Sequence, residues 1–256
     1  GQVYLSPSDT LMILSGADGG FLSDIVLNIR LPRIILALAI GGGLSVTGVA
    51  FQALLQNPLA EPYILGISSG GAFGAILSLA LGLGFLGTQL FSFGGALIVL
   101  VIVFYLGKRF GEIEPNVLLL NGVMAGAFFS AIILLLVSFM DDTLRTAVYW
   151  LIGTLSLASP DSSLYILSLS LAVGLLLALN GHKYNVLALG SENAKFVGIN
   201  TAALHKITYL AASLLIAAIV SVSGIIGFVG LFIPHLCRII YGYDNRIILP
   251  VSYLAG

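Results

Sequence analysis

The sequence predicts an all-α, polytopic transmembrane helix bundle, and its composition is the first observation behind that fold class. Hydrophobic residues make up 59% of the 256 positions, charged residues make up only 8%, and the mean hydropathy is +1.10. Soluble domains carry about 25% charged residues, so a soluble fold of this length could not cover its surface. The composition therefore excludes a soluble enzyme and a disordered chain. A net charge of −1 also offers no basic face for a nucleic acid.

The second observation is a series of apolar runs, because a membrane-crossing helix needs roughly 20 mostly apolar residues. Six runs approach or exceed this length, and a shorter seventh contains Pro234, His235 and Arg238. The runs are 31–55, 64–83, 91–106, 117–140, 164–179 and 205–222, followed by 227–241. We therefore expect about seven spans in a single transmembrane domain that covers residues 1–256.

Basic residues predict the orientation of these spans, because Lys and Arg concentrate in cytoplasmic loops. When successive loops alternate between the two sides, one side collects seven basic residues and the other collects three. The first group is Lys108, Arg109, Lys183, Lys195, Lys206, Arg238 and Arg246, and the second group is Arg30, Arg33 and Arg145. The first side is therefore predicted to be cytoplasmic. Segment 1–30 is then an outer segment, and the long loop 180–203 lies inside.

The residue patterns of an enzyme are missing from the sequence. The glycines at 41–43 and 70–71 follow no strand and precede no Gly-Lys-Ser/Thr, so they do not read as a phosphate loop. The three histidines show no i,i+4 metal-binding spacing. No acidic residue falls in the middle of a run, which argues against transport driven by an ion gradient. We therefore expect no catalytic residue, no metal site and no cofactor.

Two local patterns predict how the first two spans are joined and packed. Asn57-Pro58 should end the first helix, and Pro62 should open the next one. Asn57, Pro58 and Glu61 then belong to a tight cytoplasmic turn, with Glu61 near the positive N-terminal end of the second span. The glycines Gly66, Gly70 and Gly74 follow at four-residue spacing. Such a stripe favours close helix packing in lipid, and the alternative is that it lines a transport pathway.

Three stretches of the sequence are specific in combination, although none is specific alone. The first joins Leu31-Pro32-Arg33 to residues 56–62 (QNPLAEP) and 65–70 (LGISSG). The second is 187–190 (LALG), which continues to Gly198. The third joins 227–231 (GFVGL) to 233–235 (IPH) and Arg238. Together they resemble the permeases of FecCD-type, or type II, ABC importers, which carry iron–siderophores, haem or cobalamin. The resemblance covers nearly the whole chain.

The resemblance implies a ten-helix fold, of which this chain would hold helices two to eight and the start of the ninth. We therefore expect a piece of a longer permease, without the pathway-lining tenth helix. The implied assembly is a homodimer in the cell inner membrane, with the pathway at the dimer interface. Two cytoplasmic ATPase subunits would bind below it and a periplasmic substrate-binding protein above it. A metal chelate would cross by ATP-driven alternating access, and no nucleotide site is expected in the permease itself.

Two groups of functional residues follow from the resemblance. Arg30 and Arg33 are expected to dock the binding protein, and their three-residue spacing lets them project from one helix face. Coupling to the ATPase is expected in the inner loop, through Gly190, Ser191, Glu192, Ala194, Lys195 and Gly198.

Two further classes of function remain open at this point. One is an ion-coupled secondary transporter whose carboxylate lies in a further helix, and the other is a non-transporting membrane scaffold. An ATPase that copurifies with the chain would separate the importer from both.

Overall fold

The computed structural model describes residues 5–16, 20–109, 112–140, 143–156 and 158–256. Thirteen α-helices lie within these ranges. They are α1 Pro7–Leu14, α2 Phe21–Asp24, α3 Leu31–Leu54, α4 Ile67–Ala80, α5 Phe85–Leu106, α6 Pro115–Ser138, α7 Leu144–Ile152, α8 Pro160–Ala178, α9 Gly181–Leu187, α10 Ser191–Phe196, α11 Thr201–Ser223, α12 Val229–Tyr241 and α13 Asn245–Ala255. A short hairpin pairs β1 Lys108–Arg109 with β2 Glu112–Ile113.

All seven predicted runs contain a helix, but two of these helices are short. The long ones are the continuous helix 21–54, α5, α6, α8 and α11, each apolar and long enough to cross a membrane. By contrast, α4 has 14 residues and α12 has 13. At 1.5 Å per residue these are about 20 Å long, less than the roughly 30 Å of a hydrocarbon core. Segments other than α-helix, among them the 3-10 helix Pro62–Leu65 before α4, must therefore complete both crossings.

The first membrane helix begins ten residues earlier than the sequence suggests. Helical structure is continuous from Phe21 to Leu54, over 34 residues, which corresponds to about 50 Å. A proline inside an α-helix removes one backbone hydrogen bond and clashes with the preceding turn. Here the π-helix Ile25–Arg30 ends two residues before Pro32, and its wider turn shifts the pattern of backbone hydrogen bonds where the proline enters. Part of the predicted outer segment is thus helix, while residues 1–4 and 17–19 of that segment lie outside the described residues.

Helices α3 and α8 pack side by side and run in the same direction. The Ser163 hydroxyl donates a hydrogen bond to the Pro32 carbonyl at 2.8 Å, and the Ser170 hydroxyl donates one to the Ala39 carbonyl at 2.8 Å. From the first bond to the second, the position moves forward by seven residues on α3 and by seven on α8. Two helices with this pattern must be parallel. Three predicted spans separate α3 from α8, so strict alternation demands this direction. The short helix α4 therefore belongs to a full crossing.

The loops that were predicted to be cytoplasmic meet at one end of the bundle. The Gln56 side-chain amide donates to the Leu187 carbonyl at 3.0 Å, which ties the end of α3 to α9. The Asn185 amide donates to the Asp244 carboxylate at 2.7 Å, which ties α9 to the turn before α13. At the opposite end, the Thr154 N–H donates to the Ser223 carbonyl at 2.7 Å. The contacts between loops therefore agree with the alternation of sides.

The core is built around α3, whose residues from Ala39 to Gln52 are all buried. Glycines on this helix admit neighbouring backbones at close range. A Cβ at Gly48 would overlap the Gly230 carbonyl oxygen of α12, and a Cβ at Gly41 would overlap the Gly256 carbonyl oxygen after α13. Because lipid gives helices no hydrophobic reason to associate, such close backbone approach supplies much of the packing energy.

Candidate transport and docking sites

After α3 the chain makes the tight turn predicted at Asn57-Pro58, closed by a 3.1 Å hydrogen bond from the Ala60 N–H to the Asn57 carbonyl, and then folds back into the bundle. α3 ends at Leu54, and Gln56 then reverses the chain with a φ of +49°. A Cβ on Gly230 would overlap Pro62 and would lie 2.7 Å from the Leu44 carbonyl oxygen. Because Leu44 lies ten residues before the end of α3, Pro62 sits about 15 Å inside the bundle. Pro62 therefore opens the 3-10 helix Pro62–Leu65, not the long second helix predicted from the sequence.

Glu61 lies at the junction of this re-entrant segment and α12. Its Oε1 accepts a hydrogen bond of 2.7 Å from the backbone N–H of Phe228, which is the N-cap residue of α12 and has a φ of +69°. The Tyr63 hydroxyl accepts a second one, of 3.2 Å, from the N–H of Ile226. The first N–H groups of a helix have no partner within it, and a carboxylate there also opposes the positive end of the helix dipole. The junction therefore stabilises the N-terminal end of α12, which lies inside the bundle.

This pairing corrects two expectations. The sequence suggests that Glu61 serves the helix that follows it, but the carboxylate serves α12, 167 residues further along the chain. The sequence also suggests that no acidic side chain lies at membrane depth, whereas Glu61 directly precedes Pro62 on the segment that enters the bundle. Its carboxylate is satisfied by a backbone donor there, which is the arrangement of a helix cap.

The predicted coupling loop folds into two short helices, α9 and α10. Gly190 and Gly198 flank α10 with φ of +108° and +85°, a region that favours glycine. Glu192 and Lys195 are exposed and approach within 4.0 Å of each other. Ala194 is fully buried, because it faces from α10 into the hydrophobic core of its own chain. Ala194 therefore does not face outward as the sequence analysis expects, and Ser191, which is half-buried, opens the helix.

The same loop displays apolar side chains that the sequence analysis does not single out. Leu189, Phe196 and Val197 are 71%, 86% and 70% exposed. We call these three residues, together with Glu192 and Lys195, the coupling surface. Three large apolar side chains outside any membrane-length run are the signal that could have revealed it, since exposed apolar clusters mark interaction sites.

The coupling surface is tied to the membrane helices through α9. The Asp244 carboxylate accepts hydrogen bonds from Arg246, the shortest at 2.6 Å, and from Asn185 of α9. These bonds, those from Arg246 first, hold the pKa of Asp244 below its usual value. A carboxyl with a lowered pKa stabilises the fold above the unfolded pKa of about 4 and loses that contribution as the pH falls below it. The Asp244 carboxylate is therefore fully ionised at neutral pH, and it keeps its bonds to Arg246 and Asn185.

Arg30 and Arg33 lie at the opposite end, within the continuous helix 21–54. Arg30 is half-buried and ends the π-helix, and Arg33 is exposed in the first turn of α3. The sequence analysis places the two arginines at the start of a helix. In the structure the helix begins at Phe21, more than two turns before them. Their spacing of three residues is unaffected, because the chain remains helical through both positions.

The three predicted glycines contact other helices of the same chain. Gly66 has a φ of +74° and breaks the helix; a Cβ there would lie 2.8 Å from the Gly122 carbonyl oxygen of α6. On α4, a Cβ at Gly70 would lie 2.6 Å from the Gly95 carbonyl oxygen of α5, and one at Gly74 would overlap the Phe91 carbonyl oxygen. The geometry supports a role in packing at all three positions.

Across the residues that the structure describes, no group of three His, Cys, Asp or Glu side chains could hold a metal ion.

Comparison with known proteins identifies the family. The model of the FecCD transport family matches residues 1–256. The chain belongs to the FecCD transport family. It is 39% identical over 237 residues to the hemin transport permease of Yersinia pestis, which covers 90% of this chain and 71% of the relative. It is 37% identical over 236 residues to the cobalamin import permease of Halobacterium salinarum, which covers 91% of this chain and 63% of the relative.

A solved structure places the fold within the same group. A transporter assigned to the metal-chelate type of ABC transporters, in an inward-facing conformation, matches with a TM-score of 0.85 at 31% identity. The match covers 94% of this chain and 78% of the other. This FecCD protein is therefore a multi-pass membrane permease of the ABC-importer type.

Proposed function

We propose that this chain forms the membrane pathway of an ATP-driven importer for a metal chelate, an iron–siderophore, haem or cobalamin. It works as a homodimer in the cell inner membrane, with two separate cytoplasmic ATPase subunits and an outer substrate-binding protein. The observation that supports this best is the coupling surface. It exposes apolar side chains at the inner end of a FecCD permease, where an energy-supplying partner would bind.

The hydrogen-bonded contacts around α9 suggest how movement of the partner reaches the pathway. α9 contacts the end of α3 through Gln56 and Leu187 and the turn before α13 through Asn185 and Asp244. A shift of the coupling surface would therefore displace the re-entrant segment after α3 and the C-terminal end of α12 together. These two elements meet again at Glu61 and Phe228. Rigid helices that rock about such junctions are a common form of alternating access.

Reconstitution tests the proposal as a whole. The full-length permease, purified with the ATPase subunit that copurifies with it, is placed in liposomes with a panel of loaded binding proteins. We expect ATP-dependent, vanadate-sensitive uptake of one metal chelate. Uptake that an uncoupler abolishes and vanadate leaves intact would overturn the proposal in favour of a secondary transporter. The absence of any bound ATPase and of any uptake would favour a scaffold.

The coupling surface should depend on Phe196. We expect the Phe196→Glu variant to bind the ATPase about 10- to 100-fold more weakly, because burial of one large apolar side chain is worth roughly 1.5–3 kcal/mol. Phe196→Tyr is the matched control and should bind within about twofold of wild type. Affinity for the purified ATPase is measured on permease in nanodiscs. Equal binding by the Glu and Tyr variants would mean that this face does not contact the ATPase.

Arg30 and Arg33 should capture the outer binding protein. A guanidinium matches a carboxylate with two parallel hydrogen bonds, and charges at the rim of an interface mainly change the association rate and its salt dependence. We expect the double variant Arg30→Glu, Arg33→Glu to reduce capture at least tenfold at low salt and less at high salt, with basal ATPase activity retained. Arg145→Glu changes the third outer arginine and serves as the control. Equal capture by both variants at low salt would show that the arginines only anchor the helix in lipid headgroups.

A further inference from the structure

A cavity of about 250 Å³ opens at the inner end of the bundle, between the end of α3, the coupling loop and the α12–α13 turn. Ala188, the residue before Leu189 of the coupling surface, forms part of its wall. Its polar lining consists of Gln52, Gln56, Asn57, Arg238, Tyr243 and Asn245. The other sites described above do not use Gln52 or Arg238.

Two donor groups in the cavity, those of Arg238 and Gln52, retain unused hydrogen-bonding capacity. The Arg238 guanidinium donates one hydrogen bond to Oε1 of Gln52. A guanidinium has five N–H donors, so others remain for a further acceptor. Gln52 is only 4% exposed, and its Nε2 has no hydrogen-bond partner in the described part of the chain. In that same part no carboxylate lies within 4.0 Å of Arg238. A buried donor without a partner is costly, so these groups together form a site for an oxyanion.

We propose that this cavity receives a carboxylate side chain of the cytoplasmic ATPase subunit, held between the Arg238 guanidinium and the Gln52 amide. The inference rests on the proposed function, because it assigns a second contact to the same partner. A guanidinium binds a carboxylate through two parallel bonds. The volume lies below the roughly 300–1,000 Å³ typical of pockets for whole small molecules, which favours a single side chain.

The position of the cavity favours a protein partner over a lipid headgroup. Its walls are loops and helix ends at the inner face, and Ala188 connects it directly to the coupling surface. Among the membrane-length helices that the structure describes, the helix that provides Gln52 is the most enclosed by the bundle. Engagement of Arg238 would attach the ATPase directly to α12, whose other end is capped by Glu61. The partner would then contact the coupling surface and α12 at the same time.

The Gln52→Glu variant tests the inference, because it places a carboxylate beside Arg238 with almost no change in volume. We expect it to fold with an unchanged or higher thermal midpoint and to bind the ATPase at least tenfold more weakly, since the site is already occupied. Arg238→Lys keeps the charge without the two-pronged geometry and should lose affinity to a smaller degree. Lys206→Gln alters the net charge by the same amount as Gln52→Glu. It should bind within about twofold of wild type, because the exposed Lys206 of α11 belongs neither to the cavity lining nor to the coupling surface.

Binding of the purified ATPase to full-length permease is measured in nanodiscs of phosphatidylcholine and of phosphatidylglycerol. Wild-type affinity in Gln52→Glu would overturn the inference and leave the proposed function intact. A stabilising effect of phosphatidylglycerol that disappears in Gln52→Glu, with ATPase affinity unchanged, would likewise overturn it and assign the cavity to a lipid phosphate. Failure of the wild-type permease to bind the ATPase would instead overturn the proposed function itself.

Discussion

The Gly74→Ala variant should be markedly less stable than wild type, whereas Gly94→Ala should behave like wild type. A Cβ at Gly74 would overlap the Phe91 carbonyl oxygen and lie 2.6 Å from its carbonyl carbon. These are backbone atoms of α5, so no side chain can rotate away and the two helices must separate. Overpacking typically costs about 1–3 kcal/mol or more, and membrane helices depend on such close contacts. A Cβ at Gly94, on the same helix pair, would meet nothing within 4 Å.

The measurement is the thermal midpoint of the purified permease together with its yield as a single species in detergent. We expect a clear fall in both for Gly74→Ala and no change for Gly94→Ala. The alternative from the sequence, in which the glycine stripe lines the pathway, makes a different prediction. In that case Gly74→Ala would keep the wild-type midpoint and yield but transport substrate more slowly.

Removal of the carboxylate at Glu61 is the second large effect that we expect. Glu61→Ala leaves the Phe228 N–H and the positive end of α12 without their acceptor. Loss of a side-chain cap at a helix N-terminus costs about 0.5–2 kcal/mol, and the junction between α12 and the re-entrant segment would open. We expect at least tenfold slower uptake with a modest loss of stability. Glu61→Gln retains a side-chain oxygen for the same bond, so it should transport at a rate between those of Glu61→Ala and wild type.

Glu114 provides a matched control, because its carboxylate also caps a helix. It accepts a 3.0 Å hydrogen bond from the Val117 N–H at the start of α6, within its own local turn. Glu114→Ala should therefore reduce stability slightly and leave the uptake rate within about twofold of wild type. Uptake that is lost as completely in Glu61→Gln as in Glu61→Ala, and that depends on a pH gradient, would contradict the capping role. It would point to a carboxylate that carries a proton.

Much of this architecture could be predicted from local sequence. A span is a sum of side-chain transfer energies over about 20 neighbouring residues, so the seven apolar runs each correspond to a helix. The family follows from stretches such as residues 56–62 and 227–231, and the match over residues 1–256 confirms that identification. Gly190 and Gly198 were also predictable as special positions. Their positive φ is a property of the residue and its turn.

The sequence alone therefore determined that this is a membrane protein, which seven apolar runs contain helices and which family it belongs to. Only the tertiary structure decided which side chains meet. Glu61 caps α12 instead of the next helix, Ala194 is buried while Phe196 is exposed, and Gln52 lies beside Arg238, 186 residues away. Hydropathy and turn preference act between neighbours along the chain, whereas a hydrogen-bond partner depends on which helix the packing brings close. That choice is made by close backbone contacts such as those of Gly48 and Gly230, which have no counterpart in the local sequence.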